Sequence, residues 1–394
     1  MLKKKKKISN KINFKCNHKV FIKNFYLPKF QKLILNLSYN QFRYKFDQPD
    51  LNQFKADKKR YNIFKKTKTK DKFFNFINDI AFYLIPKVFV EGYDDTKKKI
   101  KYLNWPQNPK IILTSIEFST NEFFKFYTAQ KIISGSKFVI AQHGMGDVDK
   151  YNLFTYYERK ICNRFLSWGK YSNNKNVHPL FATTTSQKKI VKKSSAQGLI
   201  VPLYDFFQLP TRIISCPHTV RGLQKYFKDI KYFLFNVDKS IVSKSTIKYG
   251  HKFRNKKECE ELLTQFPKLS SNTAANTSRL FEQSHRFKLN VETFHSTGFF
   301  ESLNLNTPTI VIVDRKYFNI PSNYRKYFNL LLKAKIIYFS PLNAAKFVNK
   351  NYENIDLWWQ SRVVQNARKK VCDYICRSST SPVNDIRKSL IFKN

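Results

Sequence analysis

At 394 residues, 42% of them hydrophobic and 16% aromatic, the chain is long enough for two domains with their own cores and too apolar for a disordered polybasic tail. Its 73 Lys+Arg against 27 Asp+Glu leave a net charge of +46, a field that attracts polyanions: nucleic acid, anionic lipid head groups or nucleotide-sugars. Lys, Asn, Phe, Ile and Tyr are all abundant while Gly numbers only 9, so an AT-rich coding bias accounts for much of the lysine without a dedicated binding surface.

Met1-Leu2 followed by Lys3 to Lys7 has the charged start of a signal peptide, but Asn10, Lys11, Asn13 and Lys15 interrupt any apolar run behind it. No stretch approaches about 18 apolar residues, so no spanning helix is expected and the chain reads as cytoplasmic, with room for peripheral contact at the inner membrane face. Cys16, Cys162, Cys216, Cys259, Cys372 and Cys376 lack zinc-like pairing; Cys372 and Cys376 have helical i,i+4 spacing but no second pair. Reduced, partly buried thiols are expected.

Residues 1–75 form a basic N-terminal region, partly ordered, in which Leu33–Leu37 has the look of a strand and Lys65–Lys72 of a linker. The amphipathic run Asp79–Leu84 is closed by Pro86, which disfavours helix in the residue before it. Lys110–Ser115 reads as a buried strand, Thr120 as the cap of a helix to Ile133, Lys137–Gln142 as the next strand, Tyr151–Cys162 as helix and Arg164–Trp168 as strand. This alternation argues for parallel βαβ units in an N-terminal, acceptor-side α/β domain over 76–205. After a polar stretch from 183 to 198, a second, donor-binding α/β domain spans 206–354. Its expected elements are strands Thr211–Ser215, Leu289–Phe294, Thr309–Val313 and Ile336–Phe339, and helices Lys256–Gln265, Thr297–Leu305, Tyr324–Ala334 and Asn343–Asn349. Residues 355–394 supply a long C-terminal helix, Ile355–Cys376, and a tail.

Two strand-to-loop sites stand out. His143 follows a predicted parallel strand, at the edge where open α/β sheets place ligands, and Gly144 and Gly146 allow close backbone approach. An imidazole there is suited to act as base toward an acceptor hydroxyl or as donor to a phosphate; a histidine bonded to a loop carbonyl would look the same. Ser296 and Thr297 stand at the start of a helix, where hydroxyls, N–H groups and the helix dipole suit a diphosphate. An ordinary N-cap completed by Glu301 has the same spacing. Glu158 falls on the helix after the His143 loop, and Arg212, Lys244, Lys248 and Arg254 are candidates to neutralise phosphate. Trp358 and Trp359 suit packing more than sugar stacking. Asp94-Asp95 is adjacent, not spaced as a metal pair, and no phosphate-loop or dinucleotide glycine pattern is present.

Several of these pieces carry a resemblance. Pro109–Ser115, Phe124-Lys125 with Ala129, Gln142-His143-Gly144, Glu158, Leu166-Ser167-Trp168-Gly169, Phe300-Glu301-Ser302-Leu303 with Asn306-Thr307-Pro308-Thr309, and Trp358-Trp359-Gln360-Ser361 with Val364–Arg368 occur in order over residues 84–380. The sequence resembles the surface-polysaccharide transferases of spirochaete O-antigen loci, distant relatives of GT-B glycosyltransferases and CDP-glycerol glycerophosphotransferases. That group tends to continue His-Gly with further glycines and Tyr-Gly, whereas this chain has Met145-Gly146-Asp147-Val148.

The resemblance implies an α/β fold of two Rossmann-like domains facing a cleft, with a C-terminal helix crossing back between them. It implies metal-independent transfer of a sugar or related group from a nucleotide-activated donor to a glycan or lipid-linked acceptor of O-antigen or capsule type. His143 and Glu158 would serve catalysis; Gln142, Gly144, Gly146, Ser296, Thr297, Glu301, Arg212 and Lys248 would bind substrate. No cofactor is expected, the nucleotide-sugar being substrate. Two other classes compete: a basic protein binding single-stranded nucleic acid through interleaved aromatics and lysines, and a catalytically silent scaffold in glycan assembly.

Overall fold

A computed structural model describes residues 19–41, 46, 53–57, 69–145, 153–170, 174–204, 220–249, 256–272 and 279–392. Thr211–Ser215, Gly146, Arg212 and Arg254 lie outside the described residues. The chain divides into two compact units, Met1–Phe25 with Lys32–Val139 and Tyr26–Gln31 with Ile140–Asn394.

The first unit opens with β1 (Val20–Ile22), which pairs in parallel with β2 (Ile111–Thr114) in the register Val20↔Ile111. Between them come helices α1 (Lys29–Ser38), α2 (Lys72–Leu84) and α3 (Tyr93–Ile100). The expected strand at Leu33–Leu37 is thus helical: Gln31 and Leu35, four apart, are buried while Leu33, Ile34 and Leu37 face outward, a helical period rather than alternation. Helix α4 (Glu122–Ile133) is capped by Asn121, whose side chain accepts the Phe124 N–H at 3.0 Å, one residue past the expected Thr120. Gly135, at φ 94°, turns the chain into β3 (Lys137–Ala141). Phe21, Trp105 and Tyr127 form the aromatic centre, with ring centroids 5.1–5.7 Å apart.

The second unit contains the end of β3, then α5 (Leu153–Ile161), β4 (Arg164–Ser167), β5 (Val177–Pro179) and β6 (Leu199–Pro202). Beyond these lie α6 (Val220–Asn236), β7 (Thr246–Lys248), α7 (Lys256–Gln265), β8 (Ser270–Asn272), β9 (Leu289–Glu292), α8 (Thr297–Asn304), β10 (Thr309–Ile312), α9 (Ser322–Lys333), β11 (Ile337–Tyr338), α10 (Pro341–Asn351), α11 (Ile355–Gln360), α12 (Arg362–Ile375) and α13 (Pro382–Ser389). The architecture is α/β with two sheets, ordered β1-β2-β3-β4-β5 and β11-β10-β9-β6-β7-β8. Leu199–Pro202, which the sequence places before residue 205, is a central strand of the second sheet.

All five pairs of the second sheet are parallel. Counted from β6, its strand order is 3-2-1-4-5-6, the doubly wound order whose switch point falls between β6 and β9. Both faces are covered, which is why β10 is apolar after Thr309: Ile310 and Ile312 enter one core with α6 and α10, Val311 and, just past the strand, Val313 the other with α8, α9 and α12.

The expected single helix from Ile355 to Cys376 is broken at Ser361, which adopts extended backbone and whose side chain accepts the Val364 N–H as N-cap of α12. The break lets Trp359 turn inward, where its indole N–H donates to Asn306 Oδ1 at 2.9 Å. Among the described residues no helix is long and apolar enough to cross a membrane, and Cys162, Cys259, Cys372 and Cys376 are buried free thiols.

Candidate functional site

Gln142, just past β3, is the hinge pin of the histidine loop. Its side-chain oxygen accepts the Trp168 N–H at 2.6 Å, its amide donates to the Gly144 carbonyl at 2.8 Å, and its own carbonyl accepts the Trp168 indole N–H at 2.9 Å. A buried carboxamide used on both ends is scaffold, and it fixes the turn that presents His143. Gly169 completes that support: a Cβ there would lie 2.1 Å from the Tyr374 carbonyl, so only glycine lets the end of α12 approach β4.

His143 Nδ1 stands 3.2 Å from Glu158 Oε1, the imidazole 28% exposed and the carboxylate 1%. The two atoms are in close polar contact without the alignment of a hydrogen bond. The buried carboxyl thus faces the Nδ1 side of the ring.

The loop meets α8 directly. Met145 N–H donates to Thr297 Oγ1 at 3.2 Å, and a Cβ on Gly144 would come within 2.8 Å of that oxygen. Ser296 is the N-cap: its hydroxyl accepts the N–H groups of Gly298 and Phe299 at 3.0 and 3.4 Å. Both expected anion-binding hydroxyls therefore already have protein partners, and the capping role is present. Glu301 has no part in the cap. Just over one turn into α8, its Oε1 accepts from Thr184 Oγ1 at 2.5 Å and Arg279 Nη1 at 2.7 Å. Burial raises its carboxyl, against the lowering pull of Arg279 and Thr184.

Sequence reasoning missed the group at the switch point itself. Tyr204, two residues beyond β6, donates to Glu292 Oε2 at 2.5 Å and shares a 2.6 Å hydrogen bond with Ser296 Oγ. Glu292 ends β9 and is wholly buried; desolvation lifts its carboxyl to about 8, with the Glu301 charge adding and Tyr204, Ser296 and Lys248 opposing. Burial and the neighbouring Glu292 raise the Tyr204 phenol as well. A carboxyl in a strand position next to Val291 is the available signal, hidden where the strand is taken as running on to Phe294.

The remaining candidates scatter. Lys248, at the C-terminal end of β7, is half-buried, and desolvation lowers its ammonium. Lys244 is exposed beyond the other end of that strand, its carbonyl packed against Gly198, so it belongs to the wrong edge of the sheet. His295 is buried among Phe294, Phe318 and Phe328, pushed down to about 4 by desolvation, and lines a cavity of about 40 Å³. Trp358 and Trp359 pack on each other at 5.4 Å inside the core, as structural residues.

The profile of the LIC12162 family transferases matches residues 1–390. None of the curated proteins matches. The chain is similar to the solved structure of Anabaena Alr3699/HepE in complex with UDP-glucose, at 8% identity, over 94% of this chain and 97% of that one, with a TM-score of 0.44. It is similar to an S. aureus MnaA–UDP structure at 10% identity, over 78% and 84%, with a TM-score of 0.46. WaaG, a glycosyltransferase involved in lipopolysaccharide biosynthesis, is similar at 10% identity, over 94% and 98%, with a TM-score of 0.37.

Proposed function

The chain belongs to the LIC12162 family of transferases, and from that premise we propose that it moves a sugar or related group from a nucleotide-activated donor to a hydroxyl of a surface-glycan precursor. The observation that carries the reading is the joining of the His143 loop to the first turn of α8 beside the switch point of a doubly wound sheet. Ligands of such sheets occupy that edge.

In this reading the acceptor oxygen forms a bond to the transferred carbon as the bond to the donor phosphate breaks, and the acceptor proton passes to His143. Glu158 holds and electrostatically supports the imidazolium that results. The departing diphosphate takes its negative charge toward the N-terminal turn of α8, with Lys248 at the C-terminal end of β7 to help neutralise it. Glu292, protonated near neutrality, offers a neutral donor in place of a repelling carboxylate. Gln142 and Gly144 position; Glu301, held by Arg279, lines the donor side. Gly146 and Arg212 keep their proposed binding roles from sequence. The nucleotide-sugar is substrate, and the acceptor is lipid-linked or glycan at the inner membrane face.

Thermal-shift titration with UDP-, GDP-, CMP- and CDP-linked compounds tests this. A rise in melting temperature with one nucleotide class supports it. No shift with any of them, together with tight salt-sensitive binding of single-stranded oligonucleotides, removes it.

A further inference from the structure

Among the described residues, nothing covers the apolar half of helix α2 (Lys72–Leu84). At 100° per residue Phe73, Phe74, Phe76, Ile77, Ile80 and Leu84 fall on one half of the helix, and Lys72, Asn75, Asn78 and Asp79 on the other, with Phe82 among them by position. Such a face normally turns into a core. Here the apolar half is the exposed one: Phe73 is 70% exposed, Phe74 51%, Phe76 56% and Leu84 71%, and no residue of α2 with described burial is buried. The helix is nonetheless well defined locally, with Asp71 accepting the N–H groups of Phe73 and Phe74 at 2.8 and 3.2 Å.

Charge chooses among partners. Exposed Lys70 and Lys72 bracket the first turn, and exposed Lys87 follows Pro86 at the far end, the arrangement by which lysines reach head groups while the helix lies below them. A second copy of this chain carries the same +46 charge and is repelled, whereas an anionic lipid surface is attracted. Thirteen residues span about 20 Å, short of the ~30 Å hydrocarbon layer, so the helix lies in the interface and does not cross it. We infer that α2 docks the protein on anionic membrane, its phenylalanine face in the acyl boundary. Docking stands on the helix alone; its link to a lipid-linked acceptor rests on the transfer reading.

The test is cosedimentation of the full-length protein with phosphatidylcholine vesicles, with and without phosphatidylglycerol. Wild type should pellet with the anionic vesicles only. The triple variant Phe73→Ser/Phe76→Ser/Ile77→Ser should lose at least ~10-fold in partition coefficient with an unchanged melting temperature, because all three side chains are exposed. Equal binding of variant and wild type, or no binding of wild type, overturns the inference. So does a wild-type dimer in sedimentation equilibrium that the variant lacks, since the face then serves self-association. Nucleotide-sugar binding in solution involves none of these residues, so docking and transfer fail independently.

Discussion

Thr297 Oγ1 accepts the Met145 N–H at 3.2 Å while lying where a side chain on Gly144 would have to go. Threonine has few χ1 alternatives, so the oxygen does not step aside cheaply. Gly144→Ala should push the His143 loop off α8, costing about 1–3 kcal/mol in urea unfolding and at least ~10-fold in kcat/KM. Adding Thr297→Ala removes the obstruction and should return part of the stability. Identical unfolding curves for the single and double variants would show that the contact is not the cause.

His143 and Glu158 are predicted to separate chemistry from stability. The imidazole is partly exposed, so His143→Ala should change unfolding free energy by less than ~1 kcal/mol yet lower kcat at least ~100-fold. Glu158→Gln keeps the shape and removes the charge facing the ring. We expect ~10–100-fold lower kcat with donor KM unchanged, since the carboxylate supports a charge that exists only during transfer. A change confined to KM would assign Glu158 to binding.

Asn306 is a joint between two distant sequence pieces. At φ 55° it ends α8 in the left-handed region, and its Oδ1 accepts from Trp359 Nε1 at 2.9 Å and Gln365 Nε2 at 3.0 Å. Asn306→Ala loses both bonds and strains the backbone, for about 1–3 kcal/mol; Asn306→Gly loses the bonds but relieves the strain. Glycine should therefore be the milder change in urea denaturation. The reverse order would mean the backbone there is not strained by alanine.

The same joint shows what the sequence could disclose. The Asn306-Thr307-Pro308 and Trp358–Arg368 pieces were legible as separate pieces of an ordered series, but their meeting as the seal of α8's C-terminal end required the contact itself. β10 was legible because a strand buried on both faces reads as an unbroken apolar run. Helix α6 was overlooked although Tyr226, Phe227, Ile230, Phe233 and Leu234 repeat at helical spacing, because β6 and β7 beside it are only four and three residues long. The meeting of His143 and Glu158 followed from strand-loop-helix order. The Tyr204–Glu292 bond did not: it joins residues 88 apart through sheet order, and neither local period nor motif encodes it.

The burial of Glu292 also sets a pH dependence. Burial lifts the Glu292 carboxyl from 4.5 to about 8. Between those values the folded chain keeps a proton that the unfolded chain has released. The contribution is fully present below about pH 4.5 and is lost as pH rises toward 8, at up to ~1.4 kcal/mol per pH unit. Glu292→Gln has nothing to titrate and keeps an oxygen that can accept from the Tyr204 hydroxyl. The wild type should therefore lose stability relative to this variant as pH climbs from about 5 to about 8, and the difference should level off above that. Urea unfolding of both proteins across that range decides the matter. A constant difference would mean that the carboxyl ionises normally, in which case a charged Glu292 would repel a diphosphate at the α8 turn and the donor would have to sit elsewhere.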